Sequence, residues 1–228
     1  VVMGGFPTGG GSLDERDWVC NKTILCGDIG NPGDSTDNSY HVVTTLDVTS
    51  KTIVDGFRIQ DGNADGADVH ASGGGWFNQA SPGDSSNPTI INTVICENSA
   101  TLYGGGMINF AERDSEFPDA QLNPTYINCR IAGNNAQYGG GIYFWGPYTI
   151  SRPVLINSII SGNFAQTNGG GLYVYGNDGI CEPSLINCVV SGNLANSGGG
   201  IYSDGDIGTA NTTVINSILW NNFALTSG

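Results

Sequence analysis

Positive charge is scarce in this chain. Seven lysines and arginines oppose 21 aspartates and glutamates over 228 residues, a formal net charge of −14 at pH 7. Such a surface repels phosphate backbones and anionic lipid headgroups, and polyanionic glycans too unless cations bridge the contact. Nucleic acid is therefore excluded as an expected partner. Long apolar runs are missing as well. No stretch approaches the roughly 20 residues that a membrane helix needs, so no membrane span is expected. The six cysteines, at positions 20, 26, 96, 129, 181 and 188, fit no CxxC or HxxxH zinc spacing. An even number is compatible with disulfides in an oxidising compartment. Helical periodicity of useful length is absent, which argues against leucine-rich and ankyrin solenoids. No signal peptide is visible and the first residue is Val1, so the chain reads as a mature or trimmed segment of a longer one.

Glycine, by contrast, is abundant, at 36 residues, more than twice the usual share of about 7%. Much of it recurs in step with an internal repeat. Five copies run PTIINTVICENSA from Pro88, PTYINCRIAGNNA from Pro124, PVLINSIISGNFA from Pro153, PSLINCVVSGNLA from Pro183 and TTVINSILWNNFA from Thr212. A more diverged copy, TIVDGFRIQDGNA, starts at Thr52. Triple glycines follow at 73–75, 104–106, 139–141, 169–171 and 198–200. Asn92, Asn128, Asn157, Asn187 and Asn216 form one column, spaced by 36, 29, 30 and 29 residues. Asn98, Asn134, Asn163, Asn193 and Asn222 form a second, six residues later.

Within a copy the apolar residues alternate: Ile127, Cys129 and Ile131 against Asn128, Arg130 and Ala132. A period of two means strand, with the first set expected inward. About 30 residues holding several short strands match one coil of a solenoid. The expected fold is therefore all-β, a right-handed parallel β-helix, with glycine corners and asparagine ladders between rungs. Residues 1–228 form a single segment of it, with entry coils and a loop over 1–50 and regular coils over 51–228. Flanking sequence is expected on both sides, because a coil cannot bury its own face and solenoids need caps.

The repeated INxxxSGNxA and GGG[IL]Y elements, with INSILWNN, resemble the repeats of bacterial polymorphic outer-membrane and choice-of-anchor surface proteins. The segment GGFPTGGGSLDERDWVCNKTILCGDIG, followed by DNSYHVV, is similar to the lead-in of many secreted proteins of Bacteroidota. The resemblance implies an extracellular or cell-surface location and an adhesin, stalk or filament role. It implies no particular activity.

Candidate sites are few. The residue after each triple glycine (Trp76, Met107, Ile142, Leu172, Ile201) is expected inward, so Phe77, Ile108, Tyr143, Tyr173 and Tyr202 point outward. Phe110, Trp145 and Tyr175 lie two positions further along. Phe77, Tyr143, Trp145, Tyr173, Tyr175 and Tyr202 are the candidate ligand-facing residues, suited to stacking on sugar rings or docking a protein. The competing reading is that inserts cover the rings. Asp61, Asn63, Asp65 and Asp68 match the first half of a calcium loop, D-x-[DN]-x-[DN]-G, although Ser72 occupies the position of the bidentate acid. A structural calcium ion is the one cofactor considered, and the acidic loop 28–37 is a weaker cation candidate.

No complete catalytic set is evident. Proton abstraction by a base has only Arg16, Lys22, Lys51, Arg58, Arg113, Arg130 and Arg152 to draw on, with no second base expected beside Arg130 or Arg152. The carboxylate pairs Asp55/Asp61 and Asp204/Asp206 have the residue types a glycosidase needs, but acids this numerous make pairs by accident. His41 and His70 stand alone. Cys129 and Cys188 share an inward position two rungs apart, too far for a disulfide. Cys20 and Cys26 flank a turn and could pair. Cys96 and Cys181 sit at outward or loop positions. The expected function is a non-catalytic extracellular module, with carbohydrate binding or cleavage through the aromatic face as the alternative. A glycan, another protein, or a second copy stacked on the coil ends are the expected partners.

Overall fold

The computed structural model describes residues 1–226 apart from Arg113, Ser115 and Pro118. It is a parallel β-helix. Among the described residues the only helical elements are three short 3-10 turns, at Leu13–Glu15, Ser35–Asp37 and Asp68–Ala71. Among the same residues no helix is long and apolar enough to cross a membrane.

One central coil shows the plan. Its strands are Thr125–Ile127, Arg130–Ala132, Asn135–Tyr138, Ile142–Trp145 and Thr149–Ser151. Each pairs in parallel with its equivalent one repeat away, as Tyr126 does with Ile90 and Leu155. Among the described residues the columns make five sheets of seven, seven, six, six and four strands. The entry segments Val2–Met3, Thr23–Cys26 and Val43–Leu46 supply the first strands of three of them. The 36-residue step between Asn92 and Asn128 is longer than the others, its extra residues falling between the strands Met107–Ala111 and Ala120–Leu122.

The interior is a ladder of like on like. Val54, Ile90, Tyr126, Leu155 and Leu185 stack on one wall, and Ile59, Ile95, Ile131, Ile160 and Val190 on the next. Trp76, Met107, Ile142 and Leu172 close the core from a third side. Cys129 and Cys188 are buried free thiols between the first two walls, as their register predicts.

Two expectations are corrected at the corners. Ile127 was expected inward, yet it is half-buried on the outer surface while its neighbour Tyr126 fills the core. The cause is Asn128, whose φ of 54° turns the chain sharply and lets two successive residues face out. Alternation therefore restarts at each corner. Asn92, Asn157, Asn187 and Asn216 share this left-handed conformation, with φ between 48° and 55°. Gly56 fills the same place in the first copy, at φ 82°. The first asparagine column thus recurs because asparagine tolerates a positive φ, not because it forms a continuous ladder. Only Asn128 and Asn92 bond side chain to side chain along it, at 3.3 Å.

The second column is the true ladder. Asn98, Asn134, Asn163 and Asn193 are buried, and each side-chain amide donates to the side-chain oxygen of the next, at 2.9 to 3.1 Å. Each of those oxygens also accepts a backbone N–H of the preceding asparagine. Gly62, which replaces asparagine in the first copy, simply donates its N–H to Asn98.

Candidate functional site

The aromatic columns form a second, outer core. Phe77, Ile108, Tyr143 and Tyr173 do point away from the interior cluster, but they are nearly as buried as the core itself, at 2–5% exposure. Tyr103, Phe110, Tyr138, Trp145, Tyr175 and Tyr202 pack over them, half-buried. Tyr143 and Tyr173 stack nearly parallel, 4.8 Å apart at 11°, as equivalent residues one rung apart must. The surrounding rings meet at steep angles instead, 90° for Tyr138 with Tyr173 and 67° for Tyr103 with Trp145. Of the six candidate ligand-facing residues, Phe77, Tyr143 and Tyr173 thus lie beneath the outer surface, and Trp145, Tyr175 and Tyr202 lie at it. The Tyr173 hydroxyl donates to Asp204 at 3.1 Å, and desolvation pushes its pKa well above the ordinary tyrosine value.

The histidines are not solitary. The chain's two imidazoles meet, His41 Nε2 to His70 Nδ1 at 3.2 Å. His41 Nδ1 faces the Gly73 carbonyl at 3.1 Å, and His70 stacks on Tyr40 at 5.1 Å. With both rings neutral, the network closes when each Nδ1 carries its proton. The pair ties the 3-10 turn Asp68–Ala71 to the triple-glycine corner beside Phe77, whose ring lies 4.8 Å from His41. Sequence separation of 29 residues hid this contact.

Burial holds the His41 pKa below the ordinary histidine value; the Gly73 carbonyl opposes the shift and the proximity of His70 adds to it. The folded state therefore binds this proton less readily than the unfolded chain. Stability from this group is complete above the unfolded value of 6.5 and is lost as pH falls below it. Urea unfolding at pH 8 and pH 5.5 is expected to show a larger drop in the wild type than in His41→Gln. Equal drops would mean that the histidine pair is not what acid disrupts.

The half-motif for calcium does not converge. Asn63 donates to Asp65 at 3.0 Å, but the Asp61 carboxylate accepts from Cys26 and Gln60 instead. Among the described residues no group of three or more His, Cys, Asp or Glu side chains is arranged to hold a metal ion. In the loop 28–37, Asp28, Asp34 and Asp37 are turned onto local backbone N–H groups.

The proposed carboxylate pairs are likewise engaged singly. Asp55 holds Arg16 at 2.7 Å and accepts from Asn92, and Asp204 holds Tyr173. Arg152 pairs with Glu182 at 3.0 Å. Arg130, expected to lack a companion base, has Arg58 in its own outward column with Val94 between them. Lys22 borders the same shallow groove, while Arg58 is drawn to Glu97 at 3.1 Å. Arg113 lies outside the described residues. Cys20 and Cys26 are exposed free thiols, and Cys96 and Cys181, expected at outward or loop positions, are buried. Burial pushes Cys181 up to about 12 and Cys96 to about 11, so both stay protonated and unreactive.

Fold and site together define a parallel β-helix that carries an aromatic seam as a second core on one outer face. No protein-family model matches this chain, and no curated protein or solved structure matches it.

Proposed function

We propose that the chain is a non-catalytic extracellular module, a stalk, adhesin or filament building block of a cell surface. The observation that supports this is how the side chains are used. Asparagine, aliphatic and aromatic columns all run along the axis, each rung bonding to the next. That design builds length and resistance to unfolding, which is what a spacer needs. Antibody against the chain should label intact cells of the source organism, and protease added outside them should remove the signal. Labelling only after lysis would overturn the location and the role with it.

A second reading, glycan binding, is favoured by the half-buried rings Trp145, Tyr175 and Tyr202 at the outer edge of the aromatic seam. It predicts retention on a glycan array that Tyr175→Ala/Tyr202→Ala abolishes. A blank array with folded protein would remove it.

A further inference from the structure

The turn Asp68–Ala71 stands off the aromatic seam and leaves a cleft of about 240 Å³ between them. Phe77 and Ile108 form its floor, and Tyr103, Phe110 and Trp145 its walls. Val69 and Leu102, each 37% exposed, form the lip together with Asp68. We propose that this cleft binds a methylated ammonium group, as found on choline-like or betaine-like small molecules. The proposal is independent of the surface-module reading, which needs no ligand here.

Three observations select that chemistry. The first is ring geometry. Tyr103 and Trp145 meet at 67° with centroids 6.0 Å apart, Phe110 and Trp145 at 60° and 5.2 Å, and Phe77 and Phe110 at 45° and 5.8 Å. A flat sugar ring asks for a flat platform, which rings set at these angles do not provide. A compact, nearly spherical group can touch several tilted rings together, and a cation gains from each electron-rich face it approaches within about 6 Å.

The second is the shortage of hydrogen-bonding groups. Apart from Asp68 and Ser72, the Tyr103 hydroxyl and the Trp145 indole N–H are the only polar side-chain groups among the described residues of the lining. A sugar would bring hydroxyls that this surface leaves unpaired, at a cost in affinity. A quaternary ammonium has no donor or acceptor to satisfy.

The third is charge. Among the described residues neither lysine nor arginine lines the cleft, in a chain of net charge −14. Asp68 is exposed at its mouth, and its carboxylate has no hydrogen-bond or ion-pair partner among the described residues. An acid unengaged at the rim of an aromatic box is placed to draw a cation inward. The turn that carries it is held by the His41–His70 bond, so the box is formed before any ligand arrives.

The test compares two probes of nearly the same shape, choline and its neutral carbon analogue 3,3-dimethylbutan-1-ol. Binding to the 228-residue chain is followed at pH 8 by tryptophan fluorescence and by shifts of the Trp145 indole resonance. Choline is expected to bind saturably and at least about tenfold more tightly than the alcohol, the margin that a partly desolvated cation–π contact supplies. Asp68→Asn, at an exposed position, should weaken choline about threefold or more and leave the alcohol unchanged. Trp145→Leu should abolish choline binding, with Phe110→Leu as the substitute if that variant does not fold. Equal affinity for the two probes would make the cleft a plain apolar pocket. No choline binding, undiminished binding in folded Trp145→Leu, or an unaffected Asp68→Asn would each overturn the proposal.

Discussion

Replacing Asn163 with alanine is expected to lower the unfolding free energy by about 4 kcal/mol, because it strands several buried groups that each cost about 1–3 kcal/mol unpaired. The Asn163 side chain donates to the Ile131 carbonyl at 3.0 Å and to Asn193 Oδ1 at 2.9 Å. Its own oxygen accepts both the backbone N–H and the side-chain amide of Asn134, each at 3.0 Å. Alanine leaves two donors of Asn134 and one acceptor of Ile131 without these partners, in a site with 1% exposure where water does not replace them. For a chain of this length the melting temperature should fall by roughly 8–16 °C. Asn163→Asp should be worse at neutral pH. A carboxylate cannot donate to Ile131 or Asn193, and it places a charge in the interior. Asn157→Ala, six residues earlier in the same coil, is the informative comparison. Asn157 lies in the outer column at φ 50°, so only the left-handed backbone strain of about 1–2 kcal/mol is at stake. Urea unfolding of the three variants checks the ranking. A loss below about 1 kcal/mol for Asn163→Ala would mean that the ladder is hydrated or exchanges its bonds freely.

This contrast also shows what could be read from sequence alone. Two asparagine columns in step with a triple glycine are enough to recognise a solenoid and its period, because stacking equivalent rungs forces equivalent residues into register. The columns look alike on paper, yet one recurs for its backbone angle and the other for its side-chain bonds. Substitution does not separate them either, because glycine replaces both asparagines in the same diverged copy, Gly56 in the first column and Gly62 in the second.

Other features were out of reach for a physical reason. Alternation predicted the outward direction of Phe77, Tyr143 and Tyr173 but not their burial, since that depends on Tyr103 and Tyr138 from the preceding corners folding over them. The His41–His70 bond and the aromatic cleft depend on the path of the segment 65–72, which belongs to no repeat. The pairing of Arg58 with Arg130 in one column was accessible, because the diverged copy from Thr52 carries the register that places them there.

Gly140→Ala should have the largest effect of all, because what the new methyl meets is backbone. A Cβ on Gly140 would sit 2.2 Å from the Phe164 carbonyl oxygen and 2.8 Å from that of Gly170, both belonging to the next coil. No rotamer change relieves such a contact; the rungs themselves would have to separate, breaking the N–H to carbonyl bonds from Gly140 to Gly169 and from Gly141 to Gly170. Gly105, Gly170 and Gly199 face the same kind of backbone contact at 2.1–2.5 Å, so the middle glycine sets how closely coils approach along the whole seam. The expected loss exceeds about 4–5 kcal/mol, the range reserved for severe core lesions, and the variant should accumulate as insoluble protein. Gly162 supplies the control. Its φ is 63°, but nothing lies within 4 Å of a Cβ added there. The chain already places Asp61, Glu97 and Asn221 at the equivalent position of other copies, all with positive φ. Gly162→Asn should therefore fold and melt within a few degrees of the wild type. The two glycines lie one rung apart and differ in what surrounds them. If Gly140→Ala melted as high as Gly162→Asn, the coils would have slack at this corner, and the close approach that the triple glycines enforce would not be what holds the rungs in register.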